Sequence, residues 1–510
     1  MNTRRTFIKQ TVAASTGVFY IAKTSWAQKS PGDTINVAVI GFKGRGGSHI
    51  SGFKSQGKDG VRVAALCDVD SAVLGKGLEG LNKDAGDKLK ATGYTDMRKL
   101  FENKDIDAVS IATPNHWHSL AAIWAIQAGK DVYVEKPVSH NVWEGRQLVK
   151  AARKYGKIVQ TGTQSRSSVD GIGAAAKWVQ AGNLGKVLVS RGLCYKRRDS
   201  IGKAEGPQPI PDTIDYDLWC GPSPKTELTR KKLHYDWHYI WNYGNGDLGN
   251  QGIHQMDIAR WFLGEMELSP RVWSAGGRLG YEDDGETANT QIVYHDYEKA
   301  PLIFEVHGLP SEKGGKSMDK LMQTSAGVKF RPNPPKAGKD GKLGSVVDGA
   351  GVGVIIECEG GTVVVPAYTG ATAFDKEGKE IKSWSGAEDH FKNFILACRS
   401  RRKEDLNADI LEGHLSSALC HMGNISYRLG KKEKPDVIME QIKGDRLAAE
   451  SFGRMKDHLA KNEVDVTKDM LTLGPAMKFD PETERFIDND AANAMVRPKY
   501  REPFVVPEIG

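Results

Sequence analysis

The chain has 510 residues, which is enough for two or three domains of ordinary size. Hydrophobic residues make up 39% of it and charged residues 26%, a composition that excludes collagen-like, intrinsically disordered and disulfide-scaffold proteins. The formal net charge of +7 would fall to +3 in a chain beginning at Gln28, because the first 27 residues contain four basic residues and no acidic one. This balance gives no reason to expect a nucleic-acid partner.

The first 27 residues have the pattern of a twin-arginine export signal. Arg4 and Arg5 precede a mildly apolar run at residues 11–22 and a small-x-small cleavage pattern at residues 25–27. We therefore expect the twin-arginine translocase to export the folded protein to the periplasm, with loss of residues 1–27. The run is far shorter than the ~20 residues of a spanning helix, so no stable membrane span is predicted. A retained anchor and an amphipathic helix with two chance arginines are the alternatives.

The next segment begins with a strand, a glycine-rich turn and a helix. An apolar run at residues 35–40 enters the turn at residues 41–47, and residues 48–56 favour a helix. A second apolar run ends at Asp68, which lies 22 positions after Gly46. At this spacing an acidic side chain reaches the ribose hydroxyls of a dinucleotide. The residues predicted to bind the cofactor here are Gly41, Gly44, Arg45, Gly46 and Asp68.

Two details of this segment bear on the cofactor. Lys43 occupies the place of the middle glycine in the G-x-G-x-x-G pattern, with Gly44 beside it, which indicates a turn displaced by one residue. A carboxylate at Asp68 would repel a 2′-phosphate, and this favours NAD over NADP. Arg98 and Lys99 nearby keep NADP as the alternative.

Strands and helices continue to alternate up to about residue 161. Residues 108–112 and 131–135 are predicted to be buried parallel strands, with a helix at residues 119–128 between them. Residues just past the strand ends line the crevice of such a sheet. The side chains predicted to lie there, around the nicotinamide end of the cofactor, are Thr113, Asn115, His116, His118, Glu135 and Lys136.

Three motifs then indicate a family. They are Ala-Thr-Pro-Asn-His-Trp-His at residues 112–118, Glu-Lys-Pro at residues 135–137, and Gly-Asp-Leu-Gly-Asn-Gln-Gly-Ile-His-Gln-Met-Asp at residues 246–257. In this order they resemble the Gfo/Idh/MocA oxidoreductases, over about residues 34–430. The resemblance implies an α/β fold with an N-terminal NAD(P)-binding Rossmann domain at residues 34–161. It also implies a substrate and oligomerisation domain at residues 162–430, with a large open, mainly antiparallel sheet, and hence a homo-oligomer.

The second half of the chain shows strand patterns of its own. Four runs alternate or are continuously apolar and are rich in β-branched residues: residues 187–195, 271–276, 288–294 and 302–306. Residues 313–351, rich in glycine, lysine and proline, are predicted to form an excursion or mobile loop. Residues 431–510 are predicted to be a C-terminal extension with an amphipathic helix at residues 446–459. The excursion and the extension are candidates for a cover that slows escape of the cofactor.

Oxidation of a sugar hydroxyl needs a base for its proton and a donor that holds its oxygen. The resemblance implies that Lys136 stabilises alkoxide character and that His254 is the acid and base. Many relatives have Asp at the position of Asn250, and because Asn cannot share a proton, Asp247 or Asp257 is expected to tune His254 instead. A solvated surface lysine and a hydrogen-bonded core histidine are the alternatives.

A helix predicted from about Gly249 would bring these residues together. Asn250, His254, Asp257 and Trp261 recur at helical spacing and form one stripe. The predicted catalytic residues are therefore Lys136, His254, Asp257 and Asn250.

Residues that precede this helix are candidates for substrate binding. Trp237 and His238 offer flat apolar faces that suit stacking on a sugar ring, although ordinary core packing is the alternative. His234 and His238 have the spacing of metal ligands on a helix, but no third ligand is evident and no metal is predicted. Further candidates for contact with substrate are Arg166, Tyr195, Lys196, Arg197 and Asp247.

The six cysteines have neither metal-binding nor disulfide-framework spacing and are predicted to be mostly buried thiols. A bridge between Cys194 and Cys220 is the alternative in an oxidising compartment.

Together these patterns predict an NAD(P)-dependent oxidoreductase that acts on a hydroxyl of a sugar, polyol or glycoside and keeps its cofactor bound. Two alternatives remain. One is an NAD-dependent enzyme that cleaves glycosides through transient oxidation, and the other is a non-catalytic protein that binds a sugar or a dinucleotide on the same fold.

Overall fold

The computed structural model describes residues 34–83, 90–325, 327, 349–468 and 470–510. The predicted export signal at residues 1–27 and much of the predicted excursion at residues 313–351 lie outside the described residues. Residues Ile35–Gly510 form one compact unit. Within the described ranges, no helix has the length and apolar character needed to cross a bilayer.

A six-stranded parallel sheet forms the N-terminal domain, in the order β3-β2-β1-β4-β5-β6. Its strands are β1 (Ile35–Ile40), β2 (Val61–Cys67), β3 (Thr92–Tyr94), β4 (Ala108–Ile111), β5 (Asp131–Val134) and β6 (Val159–Thr161). Strands β4 and β5 are buried at every position because helices cover both faces of the sheet. This is the Rossmann arrangement that the sequence predicts, and it brings the ends of β1, β2, β4 and β5 to one edge.

In the described part of this domain, five helices surround the sheet. They are α1 (Gly46–Ser55), α2 (Ser71–Asn82), α3 (Met97–Glu102), α4 (His118–Gln127) and α5 (Val142–Lys154). Helix α4 is buried at eight of its ten positions, which explains its nearly continuous apolar sequence. The predicted helix at residues 119–128 is confirmed, one residue earlier at each end.

A large open sheet forms the second domain, and in the described residues it has twelve strands. They are β7 (Val187–Tyr195), β8 (Arg271–Gly277), β9 (Thr290–His295), β10 (Leu302–His307), β11 (Val352–Cys358), β12 (Gly361–Val365), β13 (Gly370–Phe374), β14 (Glu380–Ser385), β15 (Lys431–Glu433), β16 (Leu471–Leu473), β17 (Met477–Asp480) and β18 (Arg485–Phe486). Only the pair of β7 and β10 is parallel among the described pairings of this sheet. The predicted mainly antiparallel sheet is therefore confirmed.

The rest of the described chain has eight helices, several of which cover the two faces of this sheet. They are α6 (Ala174–Gln180), α7 (Tyr216–Cys220), α8 (Ile253–Leu263), α9 (His390–Ser400), α10 (Ile410–Arg428), α11 (Pro435–Ile442), α12 (Arg446–Lys461) and α13 (Asp490–Val496). Leu302 and Phe304 of β10 pack in one core with α8 and α10, whereas Ile303 packs in another core with Phe452 and Met455 of α12. The alternation follows from the two-residue period of a strand. The predicted amphipathic helix at residues 446–459 is confirmed as α12.

The last third of the chain packs against both domains. Phe394 of α9 packs with Phe53 in the Rossmann core, and the tail packs Phe504, Val506 and Ile509 against the core that contains α4. Strands β15 to β17 extend the large sheet. All six cysteines are buried and free, so the alternative of a Cys194–Cys220 bridge is wrong.

Candidate functional site

A cleft of about 390 Å³ opens at the carboxyl edge of the Rossmann sheet and extends to the second domain. The glycine turn, the end of β2 and the residues after β4 and β5 form one wall, and the segment after β7 with residues 218–251 forms the other. The polar residues of these walls include Lys43, Arg45, Asp68, Asp96, Arg98, Thr113, Asn115, His118, Glu135, Lys136, Lys196, Arg198, His234, His238, Asn250 and Gln251. The carboxyl edge is where open α/β sheets bind ligands.

The glycine turn between β1 and α1 shows which glycines are required. Gly41 has φ +74°, and a Cβ there would approach the backbone of Thr113 to 2.9 Å. A Cβ on Gly46 would lie 2.1 Å from the carbonyl oxygen of Gly41, so this glycine lets the helix pack onto the strand. A Cβ on Gly44 would meet no atom within 4 Å beyond its chain neighbours, so open space lies before the N-terminus of α1. A pyrophosphate fits such a position because it is held by helix N–H groups.

Asp68 lies directly after β2, as predicted, and its orientation is fixed. Its carboxylate accepts hydrogen bonds from the backbone N–H groups of Phe42 and Asp70, both at 3.1 Å. Burial raises the pKa of Asp68, and these two hydrogen bonds oppose the shift. The side chain of Thr113 also walls the cleft, and its buried hydroxyl has no hydrogen-bond partner in the described residues. An unpartnered hydroxyl and a fixed carboxylate in the walls of one cleft fit a polar ligand such as a ribose.

Glu135 ties the glycine turn to the end of β5. Its carboxylate accepts a hydrogen bond from Arg45 Nε at 2.8 Å and lies 3.0 Å from His49 Nε2. Burial alone would raise the pKa of Glu135, but the hydrogen bond with His49 and the charges of Arg45 and Lys136 outweigh burial and hold the pKa well below its usual range. Glu135 is therefore ionised beside Lys136.

Lys136 extends from the end of β5 into the cleft. Its Nζ donates a hydrogen bond to the backbone carbonyl of Asn250 at 2.7 Å, and the side-chain oxygen of Asn250 lies 3.5 Å away. Burial lowers the pKa of Lys136 to about 8, with Glu135 opposing the shift and nearby cationic side chains adding to it. Lys136 and Asn250, each predicted to be catalytic, are thus brought together, and the Lys136 ammonium group gives up its proton more readily than that of a surface lysine.

His254 follows Asn250 by four residues and is not among the wall residues of the cleft, although the charge of Lys136 acts on it. A π-helical turn at Leu248–Gly252 carries Asn250, and His254 is the second residue of the α8 helix that follows. The ring is partly exposed, stands edge-on to Tyr368 at 5.4 Å, and has a buried Nδ1 without a partner among the described residues. Burial, together with the charge of Lys136, lowers the pKa of His254 to about 3. The imidazole is therefore neutral at neutral pH, the form that accepts a proton.

Profiles of one oxidoreductase family match both domains. The profile described as the NAD-binding Rossmann fold of the family matches residues 35–163, and that of its C-terminal alpha/beta domain matches residues 173–303. This chain belongs to the Gfo/Idh/MocA family of oxidoreductases. The resemblance found in the sequence motifs is thereby confirmed.

Named relatives match only part of the chain. Inositol 2-dehydrogenase of Salmonella typhimurium is 27% identical over 186 residues, which cover 36% of this chain and 53% of the relative. A glycosyl hydrolase family 109 protein of Shewanella pealeana is 36% identical over 130 residues, covering 24% of this chain and 27% of the relative. The chain therefore spans about half the length of the first of these relatives and less of the second.

Two solved structures are similar over most of the described fold. WlbA dehydrogenase of Bordetella pertussis, in complex with NADH and UDP-GlcNAcA, superposes with a TM-score of 0.51 at 19% identity, covering 76% of this chain and 94% of that one. Levoglucosan dehydrogenase, in complex with NADH and levoglucosan, gives a TM-score of 0.51 at 15% identity, with 76% and 95% coverage. At such identities the similarity shows the fold alone.

Asp257 and Arg166 are not where the sequence prediction put them. Arg166 donates two hydrogen bonds to Asp257, at 2.8 and 2.9 Å, and Ser416 donates a third at 2.7 Å. Arg260 and Glu412 complete this buried network of charges. Asp257 lies about one helical turn beyond His254, but its hydrogen bonds hold the side chain in this buried network, and it is not among the wall residues of the cleft. The predictions of a catalytic Asp257 and a substrate-binding Arg166 are corrected accordingly.

Tyr195 and Asp247 likewise form hydrogen bonds with other side chains of the protein. The hydroxyl of Tyr195 donates to Glu305 at 2.6 Å, and its ring stacks on His307 at 4.0 Å, away from the cleft. Asp247 is buried and accepts a hydrogen bond from Arg198 at 2.6 Å, so it can act on a ligand only through that guanidinium. Tyr195 alternates to the other face of β7, which a prediction from the strand end alone could not resolve.

Other predicted residues do wall the cleft. Trp237 and His238 stack face to face at 3.7 Å and both wall the cleft on its second-domain side, with Trp237 also packed in a hydrophobic cluster. Asn115 walls the cleft and donates a hydrogen bond to Asn245. The two nitrogens of His118 lie 2.6 and 2.8 Å from backbone carbonyl oxygens, so its ring fixes the loop rather than offering a nitrogen to the cofactor. His116 is buried against other backbone carbonyls, outside the cleft walls.

The histidines of the sequence do not assemble a metal site in the cleft. His234 Nε2 lies 3.1 Å from Asp70 Oδ2, and His238 Nδ1 contacts the carbonyl of Tyr235, so the pair does not converge. Elsewhere in the described residues His307, Asp319 and His458 lie close together. The rings of His307 and His458 stack at 4.2 Å with 16° between their planes, so one ion could not lie in both ring planes. This cluster is a hydrogen-bonded stack around a carboxylate.

Lys196, a predicted candidate for contact with substrate, walls the cleft, whereas Arg197 does not. The sequence did not single out Arg198, which walls the cleft beside Lys196, or Tyr368 on the β12–β13 turn, which accepts a hydrogen bond from the wall residue Gln251. A segment at residues 210–240 also closes over the end of β2. The Ser71 N–H donates to the carbonyl of Thr213 at 2.8 Å, and His234 binds Asp70. This segment covers the end of β2, which the sequence did not predict, whereas much of the excursion at residues 313–351 lies outside the described residues.

Proposed function

We propose that this protein is an NAD-dependent oxidoreductase that acts on a hydroxyl of a sugar, polyol or glycoside. The observation that carries the proposal is the contact of Lys136 Nζ with Asn250, four residues before His254, at the edge of a sheet with a dinucleotide-binding turn. The dehydrogenases named among the similar proteins support it. Mass spectrometry of small molecules released on denaturation, followed by a screen of sugars, polyols and glycosides, tests it.

Different residues of this chain bind the cofactor, hold the substrate and accept the proton. When bound along the glycine turn, Asp68 and Thr113, NAD would supply a nicotinamide ring as hydride acceptor. The ammonium group of Lys136 donates a hydrogen bond to the substrate oxygen and stabilises negative charge as it develops there. Neutral His254 accepts the hydroxyl proton, and Asn250 holds Lys136 in place. Trp237 and His238 provide the surface on which a sugar ring stacks.

The two pKa shifts predict the pH dependence of turnover. We expect kcat/KM to be level from about pH 5 to about pH 7, because His254, with its pKa lowered to about 3, stays neutral throughout. Activity should fall as the pH rises through about 8, where Lys136 loses the proton that makes it a donor. Initial rates across this range, in buffers of constant ionic strength, check the profile. An ionisation near 6.5 that raises activity would mean that His254 titrates as an ordinary histidine.

NAD is proposed as the cofactor in preference to NADP. Asp68 presents an ionisable carboxylate where a 2′-phosphate would lie, and Arg98 is already engaged by Asp96 through hydrogen bonds of 2.7 to 3.0 Å. Lys99 pairs with Glu102 and is not part of the cleft walls. Arg98 and Lys99, the two cations that made NADP the alternative, are therefore less suited to bind its 2′-phosphate.

Asp68→Ala is expected to weaken NAD binding about tenfold and to leave NADP binding nearly unchanged, because the hydrogen bonds lost serve an unphosphorylated ribose. Dissociation constants for both cofactors, measured on cofactor-free protein, check this. An equal loss for the two cofactors would show that Asp68 only holds the backbone of Phe42 and Asp70.

We further propose that the cofactor remains bound between turnovers. The segment at residues 210–240 supports this, because its contacts with Asp70 and Ser71 lie over the end of β2. A retained cofactor needs either a second substrate that reoxidises it or a redox-neutral cycle within one substrate. The glycosyl hydrolase family 109 relatives favour the second as an alternative function: cleavage of a glycoside through transient oxidation. Release of aglycone without accumulation of NADH would identify that alternative.

Export through the twin-arginine route to the periplasm is proposed on the pattern of residues 1–27. We expect the N-terminus of protein recovered from the periplasm to be Gln28, as read by N-terminal sequencing. An intact Met1 on protein confined to the cytoplasm would contradict it.

A homo-oligomer is proposed from the family resemblance, and light scattering during gel filtration tests it.

A further inference from the structure

Charge is unevenly distributed over the two walls of the cleft. The acidic side chains of its walls, Asp68, Asp96 and Glu135, all belong to the Rossmann domain. Each of these carboxylates already has hydrogen-bond partners. They are backbone N–H groups for Asp68, Arg98 for Asp96, and Arg45 and His49 for Glu135. No acidic side chain among the described wall residues comes from the second domain.

The second-domain wall instead presents cations. Lys196 and Arg198 follow β7, and the charges of both contribute to lowering the pKa of Lys136, so all three lie close enough to repel one another. Arg198 is neutralised by Asp247 behind it, at 2.6 Å. Lys196 has no such partner: in the described residues its Nζ donates only to the neutral amide oxygen of Gln251, at 2.7 Å. A positive charge is left uncompensated at the substrate end of the cleft.

The position of Lys196 is fixed rather than left to a flexible side chain. Gln251 accepts from Lys196 and donates in turn to the hydroxyl of Tyr368 at 2.6 Å. Tyr368 stands against the ring of His254, so this chain of contacts begins beside the proposed base. The cofactor does not account for the charge, because the open space for a pyrophosphate lies at Gly44, on the other wall.

We propose that the substrate carries an anionic group, a carboxylate or a phosphate, and that Lys196 binds it. The proposal deepens the proposed function and rests on it, since it assumes that a sugar occupies this end of the cleft. A compact ammonium group suits either anion as a point charge. An anion there would also relieve the repulsion between Lys136 and Lys196. Lys196 is thus a specificity-determining residue, distinct from the residues that transfer the proton.

The test compares matched substrates on the purified, cofactor-containing protein. The probes are methyl β-glucoside, methyl β-glucuronide and glucose 1-phosphate, which are neutral, carboxylate-bearing and phosphate-bearing. We expect kcat/KM for one anionic probe to exceed that for the neutral probe by about tenfold or more, the scale of a charge-assisted hydrogen bond. Which anionic probe prevails distinguishes a uronate from a sugar phosphate. A neutral probe that matches or exceeds both overturns the proposal.

Lys196→Met removes the charge and keeps much of the side-chain volume. The ratio of kcat/KM between anionic and neutral probes is expected to fall about tenfold in this variant. Lys203→Met is the matched control, because Lys203 lies in the same segment after β7 but is exposed and pairs with Glu282, and its ratio should equal that of the wild type. A preference for the anion that survives Lys196→Met overturns the proposal.

Calorimetric titration with the same three probes keeps this test separate from that of the proposed function. If no probe reduces the cofactor but an anionic probe binds more tightly than the neutral one, and Lys196→Met abolishes the difference, the anion site stands and the oxidoreductase assignment fails. If the neutral probe is oxidised without any anionic preference, the oxidoreductase stands and the anion site fails. Absence of binding by both anionic probes also overturns the proposal.

Discussion

Lys136→Met is expected to lower kcat for oxidation of a sugar by about 10²- to 10⁴-fold, the range for loss of a positioned acid or base. Met keeps the length of the side chain and removes the buried charge, so the fold and the bound cofactor should be retained. Lys136 Nζ donates a hydrogen bond to Asn250 from the end of β5. No other described wall residue places a donor at that position. Single-turnover reduction of the bound cofactor measures the effect on the chemical step.

Lys99→Met serves as the control for this variant, because Lys99 is exposed and pairs with Glu102 on the surface. Its turnover should match that of the wild type. Circular dichroism and the amount of cofactor released on denaturation establish that Lys136→Met is folded and loaded. Turnover of loaded Lys136→Met within threefold of wild type would remove Lys136 from the mechanism.

Asp257→Asn is expected to destabilise the protein rather than to change its chemistry. The substitution leaves Arg166 and Arg260 facing a neutral amide in a buried network, and loss of one partner of a buried ion pair costs about 3–5 kcal/mol in the free energy of unfolding. Chemical denaturation followed by fluorescence measures the change. Assays at low temperature, where the variant is folded, should show kcat close to that of the wild type.

Asp296→Asn provides the comparison. Asp296 pairs with Arg271 on the surface, with side-chain exposures of 36% and 60%, and exposed pairs contribute about 1 kcal/mol or less. If Asp257→Asn is as stable as Asp296→Asn but loses turnover, then Asp257 acts on His254 after all, as the sequence pattern suggested.

The sequence predicts the Rossmann domain well because its signals are local. Runs buried on both faces identify β1, β4 and β5, and the distance from Gly46 to Asp68 is set by one helix and one strand. The four strand runs of the second domain are also found, with ends that differ by at most two residues. In each case the hydrophobic period alone carries the information.

The predictions that were wrong concern side chains whose hydrogen-bond partners lie far away in the sequence. Helical spacing puts Asp257 near His254, but Arg166 and Ser416, which bind Asp257, are about a hundred residues or more distant in sequence. The strand that carries Tyr195 is predicted correctly, yet only the covering helix α12 and Glu305 show which face the ring occupies. The segment at residues 210–240 has no periodicity, so nothing local indicates that it closes over Asp70.

The most direct test of the account is the near-ultraviolet absorbance of reduced nicotinamide in purified protein, recorded before and after a sugar is added and with no cofactor supplied. We predict that the protein releases close to one equivalent of NAD(H) per chain on denaturation. We also predict that an oxidisable sugar converts the bound NAD to NADH in the wild type. In Lys136→Met the rate of this conversion should be lower by about 10²-fold or more. Protein that purifies without a dinucleotide, and shows no reduced nicotinamide with any sugar even when NAD is supplied, would contradict the central claim.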